Sequence, residues 1–130
     1  MKNLIPSLLI IFFWATHPLK ARESYRVESL STPPGVVCEV TGLDYTQDGT
    51  LYLCTRQVDV WSEKKGQWNR FVYGLHEPMG LCIGKEGEVY VSQRPEITQL
   101  IDEDGDNICD YQKTICADFS METNFHQYTY

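Results

Sequence analysis

A stretch of fifteen residues occurs twice in this 130-residue chain and limits what it can fold into more than any other feature. Gly42-Leu-Asp-Tyr-Thr-Gln-Asp-Gly-Thr-Leu-Tyr-Leu-Cys-Thr-Arg56 returns 38 residues later as Gly80-Leu-Cys-Ile-Gly-Lys-Glu-Gly-Glu-Val-Tyr-Val-Ser-Gln-Arg94. Five positions are identical: Gly42/Gly80, Leu43/Leu81, Gly49/Gly87, Tyr52/Tyr90 and Arg56/Arg94. Asp48/Glu86, Leu51/Val89 and Leu53/Val91 keep their chemistry. Each copy reads as strand, tight turn, strand. The Gly of Gln47-Asp-Gly-Thr50 and of Lys85-Glu-Gly-Glu88 supplies the positive φ that a two-residue hairpin loop requires. The second strand alternates aliphatic, Tyr, aliphatic, which turns the Tyr to the opposite face and makes Tyr52 and Tyr90 packing residues between repeats. A period near 40 residues built of short strands is the signature of a β-propeller blade. The alternative is two unrelated hairpins that share turn chemistry; the match in one register through both strands favours a true repeat.

The repeat sets a condition on completeness. A single blade cannot bury both of its faces; it needs a neighbour on each side, and the ring must close. The expectation is therefore an all-β chain, a partial β-propeller of about two blades plus the start of a third, forming the N-terminal part of a longer protein. Residues 36–74 make the first blade, 75–120 the second, and 121–130 begin the third. Residues 22–35 are a lead-in loop, because Pro33 and Pro34 remove two backbone donors from any strand placed there.

Residues 1–21 read as an export signal. Lys2 supplies the positive start, and Leu8-Leu-Ile-Ile-Phe-Phe-Trp14 is an apolar core too short for a transmembrane helix of about 20 residues. Cleavage after Ala21 places the mature protein in the periplasm or outside the cell, with no transmembrane segment beyond the signal. The formal net charge is −7. The signal holds two lysines and no acid, so the remainder is more acidic still. There is no basic stripe, and the acidic balance argues against nucleic-acid binding.

Five cysteines, at 38, 54, 82, 109 and 116, show no C-x-x-C spacing, so neither zinc nor covalent haem is indicated. Cys109 and Cys116 are close enough in sequence to pair, or all five stay as thiols packed like small hydrophobes.

The sharpest chemical signal is Asp102-Glu-Asp-Gly-Asp-Asn-Ile-Cys-Asp110. Asp102, Asp104, Asp106 and Asp110 stand at positions 1, 3, 5 and 9 of an EF-hand-type calcium loop, with the Ile108 carbonyl at position 7. Asn107 replaces the usual Gly at position 6; Asn tolerates the left-handed region. Lys113 replaces the bidentate Glu at position 12, which weakens the site toward the ~10⁻⁴–10⁻³ M range. Two readings stay open, a weak calcium loop and a solvated acidic turn. The repeat register also places Cys38 and His76 at equivalent blade entrances, and His126 at the third. A His where innermost strands meet the channel can act as a general base near neutral pH. Arg56 and Arg94 close equivalent strands, where ion pairing is the default role.

Gly74-Leu-His-Glu-Pro-Met-Gly-Leu81, Val89-Tyr-Val-Ser-Gln-Arg-Pro-Glu-Ile97, Asp102-Glu-Asp-Gly-Asp106 and Asn124-Phe-His126 run in a fixed order. Together they resemble the soluble quinoprotein glucose/sorbosone dehydrogenase superfamily, and within it the large bacterial branch labelled membrane-bound dehydrogenase. The resemblance covers residues 25–130. It implies a six-bladed propeller, export, and pyrroloquinoline quinone with calcium as cofactors. It also implies a small sugar or alcohol as substrate, and a haem domain or cytochrome as electron acceptor. His126 matches the family's proton-accepting His, although Phe125 stands where the family has Asp. The family's cofactor calcium is not the acidic loop, which is peripheral. The function expected is sugar or alcohol oxidation by the complete protein, the chain alone being inactive. The alternatives are a non-catalytic NHL-like binding or scaffold propeller and a propeller lactonase.

Overall fold

Eight short strands make up the described residues, paired in sequence order within two groups of four. The structure is a computed structural model and describes residues 25–118, apart from 34 and 95. Strands β1 (Val40–Tyr45), β2 (Leu51–Thr55), β3 (Asp59–Lys64) and β4 (Gln67–Tyr73) form one antiparallel four-stranded sheet in that order. Strands β5 (Gly80–Ile83), β6 (Val89–Gln93), β7 (Glu96–Ile101) and β8 (Tyr111–Cys116) form a second of the same topology. The chain is all-β in this region, and among the described residues no helix is long and apolar enough to cross a membrane. The stretches read as an export signal and as the start of a third repeat, and His126, lie outside the described residues.

The repeated hairpins form where the alternation and the glycines place them, but with a different turn. The Gly49 N–H donates to the Thr46 carbonyl at 3.0 Å and the Gly87 N–H to the Gly84 carbonyl at 3.1 Å. Gly49 and Gly87 have φ of 84° and 98°, and the residues before them do not have positive φ. This is the loop that ends in a left-handed glycine bulge, not a two-residue loop with positive φ at its centre. Asp48 braces the first turn by accepting from the Thr50 amide at 3.1 Å and the Thr50 hydroxyl at 2.8 Å. A second difference lies at residues 57–58. Alternation extends a strand back to Gln57, yet β3 starts at Asp59 because Val58 sits at φ 73° in a turn.

The likeness of the two sheets goes beyond the repeated fifteen residues. In the first, Val60 pairs with Val72 and Trp61 with Arg70, leaving Phe71 in a bulge. In the second, Ile97 pairs with Cys116 and Thr98 with Thr114, leaving Ile115 in the same bulge.

The core lies between the sheets. Cys54, Val60, Phe71 and Val72 of the first pack with Val89, Val91 and Leu100 of the second, and Leu75 of the connection completes the cluster. Tyr52 joins it, its ring edge-on to Phe71 with centroids 5.2 Å apart. Because side chains alternate along a strand, Leu51 and Leu53 are buried on the other face of the first sheet. In the second sheet the pattern points the same way round. Val89 and Val91, the counterparts of Leu51 and Leu53, face the first sheet, and Tyr90 faces away from it.

Gly42 sets the spacing between sheets. A Cβ there would lie 2.6 Å from the Leu81 nitrogen and 3.0 Å from two backbone atoms of Gly80, so β1 and β5 approach backbone to backbone. The seam carries hydrogen bonds from the Thr41 hydroxyl to the Pro78 carbonyl (2.7 Å) and from the Ile83 amide to the Asp44 carboxylate (2.8 Å).

Candidate functional site

An antiparallel meander sends alternate connections to opposite ends. One end carries the two repeated hairpin turns, the β3–β4 turn and the acidic loop between β7 and β8. The other carries the β2–β3 turn, the segment joining the sheets, and the β6–β7 turn.

At the first end, ligand oxygens of Asp102, Asp104 and Asp106 lie within 4.8 Å of one another. Each carboxylate also accepts backbone amides of its own loop. Asp102 takes Gly105 at 2.8 Å and Asn107 at 2.9 Å, Asp104 takes Asp106 at 3.1 Å, and Asp106 takes Ile108 at 2.8 Å. Asp110 is not in this cluster; its carboxylate turns to the Glu103 amide at 2.6 Å. The Ile108 side chain is exposed. Gly105 and Asn107 adopt φ of 77° and 68°, which lets the loop reverse twice in three residues. The donor set is all oxygen, the chemistry of a hard cation such as calcium. Three carboxylates fill part of the six to eight oxygen positions calcium takes, the remainder falling to carbonyls and water.

The same loop also holds the sheets together, which local sequence does not signal. The Asn107 amide donates to the Ser62 hydroxyl at 2.8 Å, the Tyr52 hydroxyl reaches Asn107 at 3.4 Å, and the Cys109 amide donates to the Phe71 carbonyl at 2.7 Å. Burial, then the charges of Asp102 and Asp48, push the Tyr52 phenol up from its ordinary value. Burial likewise pushes the Cys109 thiol up, and the thiol donates to the Tyr111 carbonyl at 3.2 Å. All five cysteines are free, including Cys109 and Cys116.

At the opposite end His76 is exposed, its amide donating to the Gln93 side chain at 2.6 Å and its carbonyl accepting the Arg94 amide at 2.9 Å. Arg94 Nε lies 3.0 Å from the Glu77 carboxylate without its N–H aligned on that oxygen, so the pair is a charge contact. Arg56 is exposed and has no carboxylate partner among the described residues. Cys38 is half-buried, its thiol pushed up by burial and then by the Asp59 charge.

Each sheet carries an acid at the start of its third strand, tied into a polar cluster. The Thr55 hydroxyl and the Trp61 indole (2.9 Å) donate to Asp59. The hydroxyls of Thr98 (2.6 Å) and Thr114 (2.8 Å) donate to Glu96. The Thr98 bond is the main cause of the lowered Glu96 pKa. The acid opening each third strand is visible in the sequence and was the available signal. These clusters hold Asp59 and Glu96 in hydrogen bonds at the His76 end of the two sheets.

An anionic quinone needs several cations converging on one pocket. At the His76 end Arg94 is engaged by Glu77 and only Arg56 is without a carboxylate partner, while Lys64 is engaged by Asp48 at the far end, so the described residues bring no set of cations together for such a cofactor. Comparisons with protein-family models, with curated proteins and with solved structures give no match.

Proposed function

We propose that this chain supplies two consecutive blades of an exported β-propeller of the glucose/sorbosone dehydrogenase-like kind, whose complete ring oxidises a small sugar or alcohol. One observation carries the propeller part of this reading. Equivalent residues of the two sheets face the same way round, Tyr52 toward the second sheet and Tyr90 away from the first, while their first strands abut at Gly42. Sheets with distinct leading and trailing faces, stacked in one sense, wind about an axis along their first strands. The chemistry rests on the motifs between Gly74 and His126 whose sequence order resembles the family. In that reading His126 accepts the proton of the substrate hydroxyl, and electrons leave for a haem partner.

Calcium belongs to the same reading as a structural ion on Asp102, Asp104 and Asp106. It would stiffen the loop that bridges the sheets through Asn107 and Cys109, far from the end that carries His76. The complete protein, incubated with pyrroloquinoline quinone and calcium, should acquire the bound-quinone absorbance and reduce a dye when sugars or alcohols are added. His126→Ala should keep the absorbance and lose dye reduction. Absence of quinone uptake would leave the non-catalytic binding propeller, a reading that the neutralising Arg94–Glu77 contact already favours.

A further inference from the structure

The lead-in does more than feed the first strand; it crosses one face of the first sheet. Strand register puts Leu51, Glu63 and Trp68 in one row of that face, Leu53, Trp61 and Arg70 in the next, and Thr55, Asp59 and Tyr73 in the third. At the first row the Trp68 indole donates to the Ser31 carbonyl at 2.7 Å. At the third, the Arg56 amide donates to the Glu39 carbonyl at 3.0 Å, and Asp59 lies close enough to Cys38 for its charge, after burial, to push the thiol up. Between these ties Pro33 is buried, and a turn at Gly35 (φ 76°) is closed by the Val36 amide on the Pro33 carbonyl at 3.2 Å. Along this path Leu51, Leu53, Thr55 and Asp59 are buried, although among the described residues no strand packs on this face.

One repeat later the same face takes a whole sheet. Val89 and Val91, the counterparts of Leu51 and Leu53, are covered by Cys54, Val60, Phe71 and Val72. The lead-in therefore stands on the first sheet where a neighbouring sheet stands on the second. It is held lightly. Of its described side chains from Ser31 to Cys38, Pro33 is buried, Val36 and Cys38 are half-buried, and Ser31, Thr32 and Val37 are exposed.

We propose that the segment from Ser31 to Cys38 is a displaceable strap, which covers the Leu51–Leu53 face until the ring closes and then yields that face to the last blade. The proposal rests on the ring of the reading above and not on its oxidation chemistry. A blade brings a set of aliphatic and aromatic side chains where the strap brings one buried proline, so the exchange runs toward closure.

Thermolysin, which cuts before aliphatic residues, reads the strap without any substitution. Cleavage before Val36 and Val37 should be slow in the 130-residue chain and about tenfold faster in the complete protein, where the strap is released. Deleting residues 25–36 should lower the melting temperature of the chain and raise its binding of an apolar-surface dye, and should change neither in the complete protein. If the shortened chain does not fold, Trp68→Phe replaces the deletion: it removes the donor to Ser31, and should speed cleavage in the chain and leave it unchanged in the complete protein. Equal cleavage in the two proteins, or a deletion that costs both the same, makes the segment a permanent filler and overturns the proposal. A chain indifferent to the deletion also overturns it, because something else then covers Leu51 and Leu53. Quinone uptake is read on the same complete protein. Uptake with an unreleased strap sinks the strap alone, and a released strap without uptake sinks the oxidation chemistry alone.

Discussion

Gly42→Ala is the sharpest perturbation of this fold, because the seam leaves no room at that point. The added methyl would sit 2.6 Å from the Leu81 nitrogen and 3.0 Å from two Gly80 backbone atoms. None of these can rotate away, so β1 and β5 must separate. Overpacking of this kind costs about 1–3 kcal/mol. Separation also stretches the Thr41–Pro78 and Asp44–Ile83 hydrogen bonds, each contributing about 1 kcal/mol. A total near 3 kcal/mol lowers the melting temperature of a domain this size by roughly 12 °C or more. Gly80→Ala is the control. Its Cβ would meet the Ser92 hydroxyl at 2.9 Å, a group that turns aside by one rotamer change, so the cost stays below about 1 kcal/mol. Urea unfolding followed by tryptophan fluorescence measures both. If Gly80→Ala destabilises as much as Gly42→Ala, the backbone-to-backbone seam is not what spaces the sheets.

Three further outcomes follow from the same geometry. Millimolar calcium should raise the melting temperature, and Asp104→Asn with Asp106→Asn should abolish the rise without unfolding the protein; no shift in the wild type would sink the calcium reading. Asp44 is held below its ordinary value of 3.8, first by the Ile83 amide and then by the Tyr45 amide. A depressed carboxylate stabilises above its unfolded pKa and loses that contribution as pH falls through its folded value. Asp44→Asn should therefore flatten the decline of stability below pH 3.8, and an unchanged acid limb would show that the seam does not depend on this charge. Val58→Asn relieves a β-branched residue at φ 73° and should stabilise by about 1 kcal/mol in urea melts, whereas a loss would mean that the Val58 side chain contributes more than its strain costs.

The parts legible in the sequence were those fixed over short range. The hairpins follow from Gly49, Gly87 and the alternation around Tyr52 and Tyr90, and these residues form strands and turn in the expected order. The exact turn was not legible, because a glycine fits both the centre of a two-residue loop and the bulge that ends a three-residue one. The shared bulge at Phe71 and Ile115 escaped for a different reason. The nine-residue acidic connection replaces a two-residue turn, so the fourth strands fall out of the 38-residue register. In the acidic loop the carboxylate spacing pointed to Asp102, Asp104 and Asp106, which cluster, and to Asp110, which turns to the Glu103 amide instead. The tie of Asn107 to Ser62, 45 residues away, is set by packing and leaves no mark in the local pattern.

The meander order has a consequence for how the protein assembles in time. Within each sheet every strand pairs with the one before it, and hairpins of this size close in about 1–10 μs. The seam between β1 and β5 joins residues nearly forty positions apart, so its loop-closure entropy must be met before its contacts contribute. The core of Cys54, Val60, Phe71, Val72, Val89, Val91 and Leu100 is covered only when the two sheets meet, so docking follows the hairpins, and the likeness of the two sheets brings two similar preformed partners together. Interactions made only at the seam, Gly42 foremost, then govern how fast the protein comes apart and hardly affect how fast it forms.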